Sequence, residues 1–378
     1  MSHNYLALKI TNIQSVYKLK KALYGLKQAP RQWYERLSLF LLSHEYERGK
    51  VDKTLFIKKA ATDIILVQIY VDDIVLGSSN VKLCEDFVKA MQGEFEMSMM
   101  GELSFFLVLQ VRKSKEGIFI CQSKYCKEIL KKFEMEACKA GATPMSTNCY
   151  LEADKAGPEV NQTMYRGLIG LLLYLTACRP DIMLVVCLCA RFQSCPKKSH
   201  LKAAINMGLW FPSLSLSPIH LVGYSDSDFA GCKLDRKSTS GTCHLLGSSL
   251  ISWHSKKQAC VALSTVEVEY ITISSCCAHI LWIKQQVEDF RVKMSKVPLL
   301  CDNTSAINLK KNHIQHSMTK HIEIRHHFIR DHIANVDCEI KFVSTERQLA
   351  DIFTKPLSKD RFYSLQNELG ILNMHALS

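Results

Sequence analysis

An apolar run over residues 64–69 and a shorter one over 74–77 flank Tyr70-Val71-Asp72-Asp73. That pattern predicts a strand, a tight turn and a returning strand, with two carboxylates at the hairpin tip. Upstream, Ala29-Pro30-Arg31 precedes an amphipathic helix expected from near Gln32 and Trp33. A second hairpin is predicted from residues 105–111 and 118–121, joined across Ser114-Lys115-Glu116-Gly117, with a short basic helix over 125–133 behind it. Gly, Pro, Thr, Ser and Asn dominate 141–158, which reads as a linker, and 168–205 reads as mostly helical. Residues 211–218, with two prolines and three serines, read as a second loop.

From Ile219 the pattern changes again. Strands are predicted at 219–225, 242–246, 250–255, 297–301 and 340–343, with a helix starting after Ser264 and a last helix over 350–354 that closes before Pro356. This order suits a mixed five-stranded sheet with helices on its faces, an α/β unit following an α+β one. The expected organisation is a first domain over 1–140, a linker and helical connection over 141–218, and a last domain over 219–370.

A chain of 378 residues, 47 % hydrophobic, can bury more than one core. Lys and Arg outnumber Asp and Glu by 48 to 36, a net +12 that suits a polyanionic partner. The sixteen cysteines are scattered through apolar stretches with no leader-like segment ahead of them, which suits a reducing compartment over a disulfide scaffold. Cys187-Leu188-Cys189 and Cys276-Cys277 lie in helix-like apolar runs and read as packing residues, not zinc ligands. The most apolar region, 168–190, is divided by Arg179-Pro180-Asp181 into pieces shorter than the ~20 residues of a membrane span.

Two adjacent like charges gain nothing at an ordinary surface turn, whereas a phosphoryl-transfer site needs clustered oxygen ligands for divalent cations. Asp72 and Asp73 fit that need. A second acidic set lies in the last region, where Asp226 and Asp302 each end a predicted strand, the edge at which open α/β sheets place ligands. Ser264 and Glu267 form a capping box, which gives Glu267 a structural task and leaves Glu269 the better ligand. Asp351 opens the last helix, where the helix dipole alone would favour a carboxylate.

The segments Gly223-Tyr224-Ser225-Asp226-Ser227-Asp228, Arg236-Lys237-Ser238-Thr239-Ser240-Gly241, Ser252-Trp253-His254-Ser255-Lys256-Lys257-Gln258 and Cys301-Asp302-Asn303-Thr304-Ser305-Ala306 resemble the ribonuclease H domain of copia-type retrotransposon Pol polyproteins. Thr319-Lys320-His321-Ile322 and Ala350-Asp351-Ile352-Phe353-Thr354-Lys355-Pro356-Leu357 continue the resemblance, in order. Upstream, Leu23-Tyr24-Gly25-Leu26-Lys27-Gln28-Ala29-Pro30-Arg31 and the Tyr-x-Asp-Asp box resemble the reverse transcriptase of the same polyproteins.

The resemblance implies that Asp226, Glu269, Asp302 and Asp351 bind two Mg²⁺ ions, with Mn²⁺ as the alternative, and cut the RNA strand of RNA:DNA hybrids. Asp228 and Glu267 are the near misses, and the loop 344–348 has no histidine of the kind that assists product release in many ribonucleases of this fold. Nucleic-acid contact is expected at Gln28, Arg31, Arg236, Lys237, Lys320 and Arg325. The partners implied are hybrid, template-primer and the other Pol products such as integrase, with no membrane, in the cytoplasm, a virus-like particle or the nucleus. The polymerase half is expected to be a truncated, inactive palm and thumb, because the family's third aspartate lies upstream of its Leu-Tyr-Gly-Leu-Lys-Gln box and residues 1–15 contain no Asp or Glu. Val108 stands where the family has glycine, and Val266 and Val268 stand where it favours alanine. The readings left open are a hybrid nuclease, a catalytically silent nucleic-acid-binding remnant and an RNA-directed DNA polymerase.

Overall fold

Pro30 lies inside the first turn of helix α1 (Ala29–Ser43), so the helix starts three residues earlier than its amphipathic pattern suggests. Proline costs nothing there, because the first turn's N–H groups have no intrahelical partner. The computed structural model describes residues 23, 25–134, 143–145, 147, 158–194, 208–212, 220–309, 328–329, 331–332 and 337–372. They fall into two compact units, Met1–Met99 and Met100–Ser378.

In the first unit, β1 (Glu47–Arg48), β2 (Leu55–Ala60), β3 (Asp63–Tyr70) and β4 (Asp73–Ser78) form an antiparallel sheet in chain order. Every second residue of β3, Ile65, Val67 and Ile69, is buried, as the two-residue period of a strand requires. They pack with Leu37 and Leu41 of α1 and with Phe87 and Met91 of α2 (Val81–Glu94). The Asn80 side chain caps α2 by accepting from Lys82 N–H at 3.0 Å.

The second unit begins with β5 (Phe105–Phe106) and β6 (Leu109–Lys113), which pair across the two-residue loop Leu107-Val108. The single strand expected over 105–111 is therefore two. Both loop residues adopt left-handed backbone, φ +49° and +64°, the conformation in which glycine is at ease and a branched side chain is not. Next come β7 (Gly117–Cys121), α3 (Ser123–Lys132), α4 (Gln162–Leu175) and α5 (Met183–Ala190). A 3-10 turn, Pro180–Ile182, separates the last two helices, and there Arg179 and Asp181 make a buried two-pronged ion pair at 2.8 Å. Tyr125 and Gln122 donate to the carbonyls of Leu171 and Tyr174. Residues 105–132 thus belong with the later chain, and the unit boundary at Met99 precedes the linker expected at 141–158.

Residues 208–212, expected as the end of a connecting helix and the start of a loop, form strand β8 (Gly208–Pro212). It pairs with β7 on one side and β14 (Ile371–Leu372) on the other, in the antiparallel sheet β14-β8-β7-β6-β5. The aromatic and branched residues Leu209, Trp210 and Phe211 suit a strand with neighbours on both edges.

The expected mixed sheet is present. β9 (Leu221–Ser227), β10 (Thr239–Leu246), β11 (Ser249–Lys257), β12 (Val297–Cys301) and β13 (Cys338–Phe342) lie in the order β11-β10-β9-β12-β13. β9, β10 and β11 are antiparallel, and β12 runs parallel to both β9 and β13. Helix α6 (Thr265–Asp289) covers one face through Ile273, Cys276, Ile280, Ile283 and Val287, a helical stripe packed on Leu299 and Ile340. Although α6 has the length and apolar content of a membrane span, 67 % of its most apolar window is buried in the fold. Helix α7 (Thr304–Leu309) follows β12. The other face carries a 3-10 helix, Leu349–Phe353, in place of the α-helix expected at 350–354, and α8 (Lys359–Glu368).

Candidate active site

Parallel pairing of β12 with β9 sets Leu299 opposite Gly223 and Leu300 opposite Tyr224. Continuing that register by two residues brings Asp302 abreast of Asp226, at the C-terminal ends of neighbouring strands whose chains depart in different directions. Glu269 joins them from the first turns of α6, one helical step along the stripe that continues through Ile273 and Cys276. Its Oε1 accepts from Ser227 N–H at 3.2 Å. Asp226, Glu269 and Asp302 line one cleft of about 430 Å³ together with Asn303 and Lys355.

The fourth expected acid, Asp351, lies in the 3-10 helix and reaches this group through Lys355. The Lys355 ammonium is 2.8 Å from Asp351 Oδ1 and 3.8 Å from Asp226 Oδ2. Arg361 approaches Asp351 from its other side at 3.6 Å, Thr354 donates its hydroxyl to Asp226, and Thr345 donates to Asp302 at 3.0 Å. Asp226, Glu269 and Asp351 are buried, and Asp302 is half-buried at the mouth.

Crowded, buried like charges disfavour ionisation. Burial is the largest influence holding the Asp226 carboxyl above its ordinary value; Lys355 opposes it, Asp351 and Asp302 add to it, and Thr354 opposes it. Glu269 is pushed up further, by burial first and then by Asp226 and Asp302. Burial works against the Lys355 charge, but Asp226 and Asp351 hold its ammonium above the usual lysine range. The donor set is three oxygen-bearing side chains around one cleft, already satisfied in part by an ammonium. Such a set fits a hard divalent cation, whose charge would relieve the repulsion.

Glu267 and Asp228 have other tasks. Ser264 Oγ accepts from Glu267 N–H at 3.2 Å, and Glu267 Oε2 reaches back to Leu263 N–H at 2.8 Å, a cap of the kind its spacing predicts. Asp228 accepts from Thr239 N–H, and burial pushes its carboxyl up to about 6. Arg236 is exposed in the loop between β9 and β10, and Lys237 beside it is partly buried. Gln28 and Arg31 are exposed at the start of α1. Lys320 and Arg325 lie outside the described residues.

In the first unit, Tyr70 pairs with Asp73, so Val71 and Asp72 form the hairpin loop. Val71 takes φ +54°, a strained conformation for a branched residue, and Trp33 Nε1–H holds its carbonyl at 2.6 Å. Sequence reasoning did not single out Lys355, Thr354 or Trp33. Lys355 and Thr354 lie inside the segment Ala350-Asp351-Ile352-Phe353-Thr354-Lys355-Pro356-Leu357, and the spacing of Lys355 four residues after Asp351 was the available signal.

Residues 8–147 match the family described as reverse transcriptase (RNA-dependent DNA polymerase). Across 94 % of its length the chain is 34 % identical to the retrovirus-related Pol polyprotein from transposon RE1 of Arabidopsis thaliana, of which it covers 25 %. Across 94 % it is 30 % identical to the corresponding polyprotein from transposon TNT 1-94 of Nicotiana tabacum, of which it covers 28 %. This chain belongs to the copia-type Pol family. The copia-type chain spans about a quarter of the length of these curated relatives. Among solved structures, ribonuclease H1 from Halobacterium salinarum aligns with 36 % of this chain and 93 % of its own at 10 % identity and a TM-score of 0.27, too low to carry weight.

Proposed function

We propose that residues 219–370 act as a ribonuclease H, an endonuclease that hydrolyses the RNA strand of RNA:DNA hybrids with divalent cations. The observation that supports it is the convergence of Asp226, Glu269 and Asp302 from β9, α6 and the end of β12 on one cleft. These three carboxylates would hold the cations, with Asp351 supporting through Lys355. Bound divalent cations supply an activated water and charge stabilisation for the leaving oxygen of a phosphodiester. Lys355 lies between Asp351 and Asp226 and offsets the charge of both, while Thr345 and Thr354 fix the rotamers of Asp302 and Asp226. Arg236 and Lys237 would contact hybrid phosphates, a contact independent of sequence and weakened by salt. The proposal does not extend to polymerisation by the hairpin that carries Asp72 and Asp73.

The test is cleavage of a labelled RNA:DNA hybrid by the purified chain with Mg²⁺ or Mn²⁺. Cleavage lost in Asp302→Asn supports the reading. Hybrid that is bound but left intact at every metal concentration means a silent binding remnant, and product from primer extension would restore the polymerase.

A further inference from the structure

Cys301 ends β12 one residue before Asp302, and the nuclease reading gives it no task. Its side chain is fully buried, yet it is not merely core. The Sγ atom, a carboxylate oxygen of Glu269 and one of Asp302 all lie within 4.8 Å of one another. The thiol is 3.9 Å from Glu269 Oε2, and the backbone N–H of Asn303 points at the sulfur from 3.4 Å. With metal–sulfur and metal–oxygen bonds of ordinary length around a tetrahedral zinc, sulfur and oxygen donors stand about 3.6 Å apart, close to the separation seen here.

We propose that Cys301, Glu269 and Asp302 form a binding site for one thiophilic divalent cation of the zinc and cadmium class, which would exclude the hard cation that the same carboxylates hold. Binding forms one metal–sulfur bond and releases the thiol proton to solvent, while the carboxylates supply oxygen donors and water completes the set. Magnesium keeps to oxygen ligands and gains nothing from the thiol, whereas zinc and cadmium do. The inhibitory consequence rests on the nuclease reading; the binding does not.

The test titrates the intact, metal-free chain with CdCl₂ in the absence of nucleic acid and follows the ultraviolet thiolate-to-cadmium charge-transfer band. The other cysteines contribute a background, so the chain is compared with Cys301→Ser, Glu269→Gln and Asp302→Asn. The expected result is loss of the tightest-binding increment of the band in Cys301→Ser. Glu269→Gln and Asp302→Asn, which keep every thiol, should weaken that increment by about tenfold or more, the lower end of the scale for losing even a supporting partner. Retention of the increment in Cys301→Ser overturns the proposal, as does unchanged affinity in both carboxamide variants. Should Cys301→Ser fail to fold by circular dichroism, the carboxamide variants decide. Hybrid cleavage without the cadmium increment removes this inference alone, and the increment without cleavage removes the nuclease reading alone.

Discussion

Gly241 lies in β10 where the 3-10 helix carrying Asp351 presses on the sheet. A Cβ placed there would stand 2.6 Å from Thr354 Cγ2, 2.9 Å from Phe353 Cβ and 3.0 Å from the Ala350 carbonyl oxygen. Favourable carbon contacts are about 3.5–4.0 Å, so Leu349–Phe353 would have to recede by about 0.5–1 Å to admit one methyl group. Thr354 cannot simply turn away, because its hydroxyl is bonded to Asp226 and to the Asp351 carbonyl. The other two contacts are with a Cβ and a backbone oxygen, which move only with the chain. Gly241→Ala should therefore cost about 1–3 kcal/mol, the usual range for overpacking. By moving Asp351, Lys355 and Thr354 together, it should also slow hybrid cleavage on the order of 10²-fold. Gly223→Ala is the control: its Cβ would meet Ile280 Cδ1 at 2.7 Å and Cys276 Sγ at 3.1 Å, both side-chain ends on the opposite face, so it should cost less and spare cleavage. Urea unfolding and single-turnover cleavage measured on both variants decide the matter. Parental stability in Gly241→Ala would refute the packing argument, and destabilisation with parental cleavage would refute the placement of Asp351.

Arg179→Ala strands the buried Asp181 carboxylate, which keeps, among the described residues, the Gln366 Nε2–H at 2.9 Å, and should lower stability by about 3–5 kcal/mol in urea unfolding. Val108→Gly should raise stability by about 1 kcal/mol, because it removes a branched side chain from left-handed backbone; an unchanged or lower urea midpoint would contradict that conformation. In divalent-free buffer the raised Asp226 and Glu269 carboxyls contribute stability that is full below the ordinary carboxylate range and lost as pH rises through their folded-state values. Urea midpoints should accordingly fall from mildly acidic to alkaline pH, less steeply in Glu269→Gln and in the presence of Mg²⁺. Midpoints that rise across that window would reverse the sign assigned here.

Asp226 and Asp302 were legible as strand-end positions because each closes an apolar run, whereas the parallel register that sets them abreast was not. Strand β8 was not legible. Its partners are β7 and β14, far away in sequence on either side, and a five-residue apolar segment carries no record of which edges will receive it. Lys355 was hidden for a related reason: its task depends on a 3-10 helix that brings Asp351 under Asp226, and a lysine four residues after an acid reads as an ordinary helical pair.

Glu269 is the instructive position. Capping favoured it over Glu267 only by elimination, yet the spacing 269, 273, 276, 280, 283, 287 is the core-facing stripe of α6 itself. A carboxylate on such a stripe costs free energy unless a cation or a proton offsets its charge. Glu269 Oε1 has one backbone N–H and Oε2 has a thiol at 3.9 Å, which does not offset a full negative charge. That deficit explains why its carboxyl is pushed up, and it is the physical reason to expect a cation at the N-terminal end of α6, where the stripe leaves the core and enters the cleft.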